Sequence, residues 1–386
     1  MIDLDDDDSR PRLAALLSHF AQIGDERDQW RVAYPLHEVL LLITCATLCS
    51  CDDFEDIVEW GETHLDFLRE FSEYHYGIPC ARWLRDLLNR VDPALFTKCL
   101  DDWIASFWPG KPDNIAIDGK TARRTHDRGK ARKALHTLSA YATNARLVLT
   151  QTSVPEKTNE ITAIPDLLDQ LAEAGQLKGS LVTIDAMGCQ HEIANKIVGL
   201  GADYILTVKG NQPTLEADIV SYFDTAPASE STTITTVEKA HGRLETRTYI
   251  ASSAVDWLTS PGKDTEKPEF STVKTIIRVI SEVESKGKVT RENRHYISSA
   301  TLPIDRLAEA LRGHWNVENQ VHWVLDVEFK DDLVRYRVPH GAKNMAAVRR
   351  FALTLIRRHP AKGSIKIKRK RAGWNPAFLR ELLQKP

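Results

Sequence analysis

Apolar residues recur at three- and four-residue spacing through LAALLSHF, HEVLLLITCATLC, FEDIVEWGETHLDFLREF, ARWLRDLLNRV and LFTKCLDDWIASF, from Leu13 to about Trp108. That is the period of helices with one buried face. Gly-Ile-Pro and Val-Asp-Pro breaks separate the segments, so the pattern predicts an all-helical N-terminal domain over residues 1–108, with residues 1 to about 10 disordered. Pro79 to Val91, followed by Asp92-Pro93 and another helix, has helix-turn-helix spacing, although its residue types ask for nothing beyond helix packing. Pro109, Gly110 and Pro112 close the region.

The period then changes. Apolar runs predict strands at Ile115–Ile117, His136–Ala142, Leu147–Thr152, Leu181–Ile184 and Tyr204–Val208, with helices at Pro165–Ala174 and Glu192–Leu200. Thr143-Asn144 reads as a hairpin turn. Antiparallel strands followed by helix-linked parallel strands describe an α/β unit, a mixed five-stranded sheet with flanking helices, over residues 109–212. From residue 213 to 300, β-branched runs such as TTITTVEKA and STVKTIIRVISEVES predict a β-rich insertion. Helix returns at Ile304–Leu311, continues through Glu318 to about Val327, and reappears at Lys343–Arg358, giving a second part of the α/β unit over 301–360. Residues 361–386 form a basic C-terminal tail.

Within the first strand stands a single acid, in NIAIDGKTARR. A carboxylate at Asp118 is costly to desolvate without a cation or metal beside it. Gly119 lets a partner approach the backbone, and Lys120, Arg123 and Arg124 form a basic rim. A helix N-cap role would account for one such aspartate. LVTIDAMGCQ repeats the arrangement at Asp185, and two acids at the ends of two strands point to one shared site. The third member expected is a carboxylate on a packed helix: Glu318 in LRGHWNVENQVHWVLDVEF, with Asp326 as the fallback.

Three converging carboxylates suit hard divalent cations, magnesium or manganese. Two such ions would sit roughly 3.5–4 Å apart, with Asp118 bridging them and Asp185 and Glu318 completing one each. His314 and His322 flank Glu318 by one helical turn, so H-x3-E-x3-H is a rival zinc pattern, though no further ligand is spaced to complete it. Val317, Val321, Val324 and Leu325 make the opposing core face, and Trp315 and Trp323 read as core-edge aromatics. Lys209 and Asn211, at the end of the last sheet strand, fall beside the acids as a surface pair or as phosphate contacts. Lys157, Asn159, Glu160, His241, Gly242, Arg243 and Arg247 are further residues within possible reach.

Charge and cysteine content change this picture little. The net charge of -3 carries no signature of nucleic acid, but its distribution is uneven: acidic at Asp3 and Asp5 to Asp8, basic in KGSIKIKRKR from Lys362 to Arg371. That run is a solvated tail or a phosphate-binding arm. Cys45, Cys49, Cys51, Cys80, Cys99 and Cys189 show no paired spacing, which fits free thiols in a reducing cytoplasm. The acidic start is unlike a signal peptide, and Val39 to Cys49 is about half a bilayer span. A cytoplasmic protein is expected.

With these residues in place, the chain resembles the H-repeat-associated insertion-sequence transposases, part of the DDE group. The resemblance is carried by IAIDGKTARR, EKTNEITAIPDLL, VTIDAMGCQ, GADYILTVKGNQ, HGRLETR, HYISS, HWNVENQVHWVLDVEFKDD and NMAAVRRFALTLI, in that order, while CDDFEDIVEWG resembles the family's N-terminal associated domain. It implies an RNase H-like fold interrupted by the insertion, with the triad Asp118, Asp185 and Glu318. It also implies magnesium-dependent hydrolysis at transposon ends, strand transfer by the freed 3′-OH, and assembled dimers or larger acting on terminal repeats and target DNA. In one respect the chain departs from the wider group. Where relatives often carry tyrosine, arginine and lysine around the helix glutamate, it has Leu311, His314 and Leu325. Contacts to flanking phosphates then fall to other residues, Arg312 and Lys330 among them. A metal-dependent nuclease without strand transfer and an inactive domesticated DNA-binding protein are the other readings; the presence of all three acids favours the transposase.

Overall fold

Short β-branched and apolar runs that cannot bury both faces alone are gathered here into one nine-stranded sheet. The computed structural model describes residues 10–384 apart from 26, 29, 31, 108–109, 128, 130–131, 156–157, 241 and 260–269. The disorder expected at the N-terminus, Lys157 and His241 lie outside the described residues. β1 (Asn114–Ala122) pairs antiparallel with β2 (Leu135–Ala142), which pairs with β3 (Leu147–Ser153). On its other side β1 runs parallel to β4 (Leu181–Ile184), and β4 parallel to β5 (Asp203–Val208). The mixed α/β arrangement expected from the sequence is therefore present.

The sheet does not stop at five strands. β9 (Lys288–Ser298) pairs antiparallel with β5, followed by β8 (Thr275–Ser285), β7 (Arg243–Ser252) and β6 (Thr232–Ala240). The β-rich insertion is thus an extension of the central sheet. The physical reason is the edge of β5, whose unpaired N–H and C=O groups would otherwise face solvent. The helix Glu160–Glu173 covers β2 and β3, and the helix Ile304–Asn316 packs on β1, β4, β6 and β7. Ile115, Ala116 and Ile117 of β1 are fully buried between such layers, as expected of a central strand.

The N-terminal helices are as predicted in type, but they do not close a core alone. Leu36–Leu48 and Pro93–Phe107 pack against the long helix Pro339–Arg358. Asn344 of that helix donates to the carbonyls of Leu88 and Val91, at 2.8 and 2.9 Å. Arg350, fully buried, pairs with Asp101 at 2.7 Å.

The basic segment expected to be a tail is folded. Ser364 caps a helix Ile365–Trp374, which is followed by a helix Pro376–Gln384. Lys368 donates to the carbonyls of Ile356 and His359, and Arg369 to the Thr47 carbonyl and Asp52. Buried carbonyls left over at helix ends accept these cations, so the segment cannot be read from charge density alone. All six cysteines are free. Among the described residues no helix is long and apolar enough to cross a membrane.

Candidate metal centre

Parallel pairing sets the site. Ile117 of β1 lies opposite Ile184 of β4, so the next residue of each falls at the same level of the sheet: Asp118 in the middle of β1, where that strand outruns its parallel neighbour, and Asp185 just past the carboxyl end of β4. Asp118 Oδ1 accepts from the Gly119 N–H at 2.9 Å. Asp185 caps a 3-10 turn, Ala186–Gly188, accepting from the Met187 N–H at 3.2 Å. The N-cap role weighed for Asp118 is thus filled at Asp185 instead.

Glu318 arrives from the opposite side. The helix that carries it is continuous, as predicted, but residues Val317–His322 form a π-helical turn, a local widening often found at functional sites. Val317, Val321, Val324 and Leu325 face the core. His322, buried one turn after Glu318, stands with Nδ1 3.1 Å from Glu318 Oε2 and 3.5 Å from Asp118 Oδ2. Asp118, Glu318 and His322 offer ligand atoms within 4.8 Å of one another. Asp185 lies outside that tight group but lines the same cleft of about 270 Å³, together with Lys209, Arg294, Trp315 and His314.

The electrostatics follow from this crowding. Burial, then the neighbouring charges of Asp185, Glu160 and Glu318, push the Asp118 carboxyl up to about 7, against the opposing Gly119 N–H. Asp185 is raised by burial and by Glu160, while Lys209 opposes. Burial lowers His322, while the Glu318 carboxylate 3.1 Å from its Nδ1 opposes the shift. Several carboxylates with little compensating cation are a donor set for a hard divalent ion. The zinc stripe does not converge: His314 is turned away onto Thr183 Oγ1, 2.8 Å from Nδ1, and burial lowers it to about 4.

Two groups at this site were underweighted by sequence reasoning. His322 was visible only as half of the zinc pattern. Glu160, at the start of its helix, is held by His136 at 2.7 Å, and His136 Nδ1 in turn lies 2.7 Å from Thr121 Oγ1. Gly119 makes room for this pair, since a Cβ there would fall 2.2 Å from Glu160 Oε1 and 2.7 Å from His136 Nε2. The signal was present in the Asp-Gly pair and in the acid opening the helix after β3.

The candidate DNA contacts fare unevenly. Lys120 is buried, with Nζ 2.5 Å from Asp326, 3.1 Å from Asp331 and 3.8 Å from Asp332. It is a buried ion-pair centre, because on an alternating strand it shares the inward face of Asp118. Asp326 is consequently the partner of Lys120 and is absent from the Asp118 group. Arg312 makes two bonds to Glu238, at 3.3 and 2.8 Å. Lys330 pairs with Asp52 at 3.1 Å, and Arg123 with Asp332 at 3.5 Å. Asn211 donates to the Ala186 carbonyl at 2.6 Å, bracing the turn after Asp185. Arg124 is exposed, and Lys209 lines the cleft. Trp315 is 43% exposed with Arg294 over its ring at 4.5 Å, and Trp323 is 55% exposed; neither is a core-edge residue.

Residues 109–355 match the family described as Transposase DDE domain, and residues 17–104 match the family described as DDE_Tnp_1-associated. The chain belongs to the DDE transposase family. This DDE transposase is 36% identical over 380 residues to the "H repeat-associated putative transposase YhhI" of Escherichia coli (strain K12), across 96% of this chain and 98% of that protein. It is 35% identical over 378 residues, 96% of this chain and 95% of the relative, to the "Putative transposase YncI" of Escherichia coli O157:H7. A shorter match, 40% over 79 residues, covers 20% of this chain and 89% of the "Inactive transposase YbfQ" of Escherichia coli (strain K12). Among solved structures, a piggyBac transposase synaptic complex with hairpin DNA aligns over 97% of this DDE transposase and 80% of that chain, at 10% identity and a TM-score of 0.41. The H-repeat-associated resemblance and the mixed α/β fold class are borne out by the family matches.

Proposed function

We propose that this DDE transposase is an active enzyme that hydrolyses phosphodiester bonds at the ends of its insertion sequence and transfers the freed 3′-OH into target DNA. The observation that carries the reading is the meeting of Asp118, Asp185 and Glu318 in one cleft from three separate elements. Asp118, Asp185 and Glu318 would hold two magnesium or manganese ions, which supply Lewis acidity at the scissile phosphate. His322 keeps the Glu318 carboxylate turned toward Asp118. Lys209, on the cleft wall, meets the charge of the phosphate oxygens, while Arg294 beside it is held by Glu292 at 2.8 and 2.9 Å.

In the first step a water oxygen bonds to phosphorus, the 3′-oxygen leaves, and the water's proton passes to solvent or to the leaving group. In the second, the 3′-OH bonds to a target phosphate and displaces a 3′-oxygen of the target strand, so the number of phosphodiester bonds is conserved. Acting on both ends in one complex would use one such site at each end, which two copies of the chain would supply.

The test is incubation of duplex DNA bearing the element's ends with magnesium, for wild type and Glu318→Ala, scoring both nicked and joined products. Cleavage and joining by wild type, lost in a variant that still binds, is the expected result. Equal cleavage by the variant removes Glu318 from the site, and cleavage without joined product reduces the enzyme to a nuclease. Binding by both without cleavage by either leaves a DNA-binding protein.

A further inference from the structure

From Leu333 to Arg380 the chain contains 14 lysines and arginines and not one aspartate or glutamate, while the rest carries 37 against 54 acids. Six of the segregated cations have structural work inside the fold. Arg349 and Arg350 pair with Asp331 and Asp101, Arg380 pairs with Glu70, Arg357 donates to the Gln320 carbonyl, and Lys368 and Arg369 bond buried carbonyls. Among the others, Lys362, Lys366, Lys370 and Arg371 are exposed on or beside one helix, with the Arg371 guanidinium 4.2 Å over the Phe378 ring. The helix Ile365–Trp374 buries Lys368, Arg369 and Ala372, and turns Lys366, Ile367, Lys370, Arg371 and Trp374 outward. Residues at i, i+1, i+4, i+5 and i+8 form one continuous stripe along a helix.

We infer that this stripe, with Lys362 at its base, is a docking ridge for the phosphate backbone of duplex DNA next to the scissile bond. The inference rests on the DNA-processing reading above and adds the surface that holds the duplex. Three arguments support it. The helix that carries the ridge, IKIKRKRAGW, contains no acid. The helix is fixed rather than swinging, because Arg369 stacks over Phe329 at 4.0 Å and donates to the Glu328 carbonyl and to Asp52. It is also joined to the element that carries the chemistry: its buried face bonds Glu328, the end of the helix that carries Glu318 ten residues earlier, roughly 15 Å along that axis. A rigid row of cations one helical turn apart meets successive phosphates without paying for its own ordering. Trp374, 74% exposed at the end of the row, adds an indole N–H and a flat apolar face for sugar contact.

The experiment is fluorescence anisotropy of the full chain with a labelled 30-base-pair duplex in EDTA, from 50 to 200 mM salt. The variants are wild type, the triple variant Lys366→Gln/Lys370→Gln/Arg371→Gln, and a control, Lys286→Gln/Lys288→Gln, at the exposed β8–β9 hairpin tip. Each lost phosphate contact lowers the salt slope by about 0.9, so the triple variant should lose about 2.7 of slope and between tenfold and a hundredfold in affinity, roughly, at 0.1 M salt. Its thermal midpoint, expected near wild type, shows that folding is intact. An unchanged slope in a folded triple variant, or a loss confined to the hairpin control, overturns the ridge while leaving the transposase reading standing. Failure of wild type to bind any duplex overturns both. Binding of phosphatidylserine vesicles with no duplex binding would assign the ridge to a membrane surface and also overturn the inference. Because no divalent ion is present, the result does not depend on cleavage.

Discussion

His322 Nδ1 lies 3.1 Å from Glu318 Oε2, one turn along the same helix and inside its π-helical segment. Spaced i,i+4 on one helix face, the imidazole and the carboxylate meet beside Asp118, so the histidine acts as a positioning residue for the glutamate. His322→Ala should therefore lower manganese affinity by about 10- to 100-fold. Isothermal titration of the metal reads this directly. A variant that binds manganese as wild type does would show that Glu318 needs no such support.

The pH dependence of stability has a definite sign. Asp118 rises from an ordinary 3.8 to about 7 in the fold, so its neutral form is the one the fold favours. The resulting stability is fully present below 3.8 and is lost as pH rises through about 7. Metal-free protein should lose thermal midpoint between pH 5 and pH 8 more steeply in wild type than in Asp118→Asn. Manganese should restore wild type at pH 8, since the ion takes the place of the proton. Identical slopes for the two proteins in calorimetry would remove Asp118 from the buried cluster. The comparison with Asp118→Asn matters because His314, lowered to about 4 by burial, pulls the other way at acid pH.

Much of this arrangement was legible in the chain. The buried runs IAI and LVTI fixed two strands, and the acid after each fixed the carboxylates, because an aspartate ending a fully apolar run has few inexpensive explanations. The helix containing Glu318 was legible from its period. Its π turn was not, because the period differs by one residue over a single turn. The extent of the sheet was also illegible. The β-branched runs were found, but strand pairing across the gap between β5 and β9 is a long-range choice that local pattern does not carry. The fate of the cations was the least readable. Lys120 and Arg369 look like free surface charge in sequence, and only tertiary contacts reveal the acids and carbonyls they meet.

Lys120 illustrates the consequence. Its ammonium is buried among Asp326, Asp331 and Asp332, and removing it leaves those carboxylates facing each other. Lys120→Met should destabilise the fold by roughly 3–5 kcal/mol. Its salt slope for duplex binding should stay that of wild type. Urea unfolding measures the first and anisotropy the second. A flattened slope with unchanged stability would restore the DNA-contact role that its sequence position suggested.

Gly119 separates stability from site geometry. An added methyl falls against the end of a flexible side chain, Glu160 Oε1, and against His136 Nε2. The glutamate can swing aside, so Gly119→Ala should cost only about 1–3 kcal/mol. What it destroys is the 2.7 Å bond between His136 and Glu160, and with it the fixed negative charge that faces both Asp118 and Asp185. Cleavage activity should fall further than stability does. In the double variant Gly119→Ala/Glu160→Ala the steric part should vanish, so its midpoint should lie above that expected from adding the two single changes. Additive midpoints would mean that the methyl meets something other than Glu160, and that the glycine after Asp118 is required by the backbone itself.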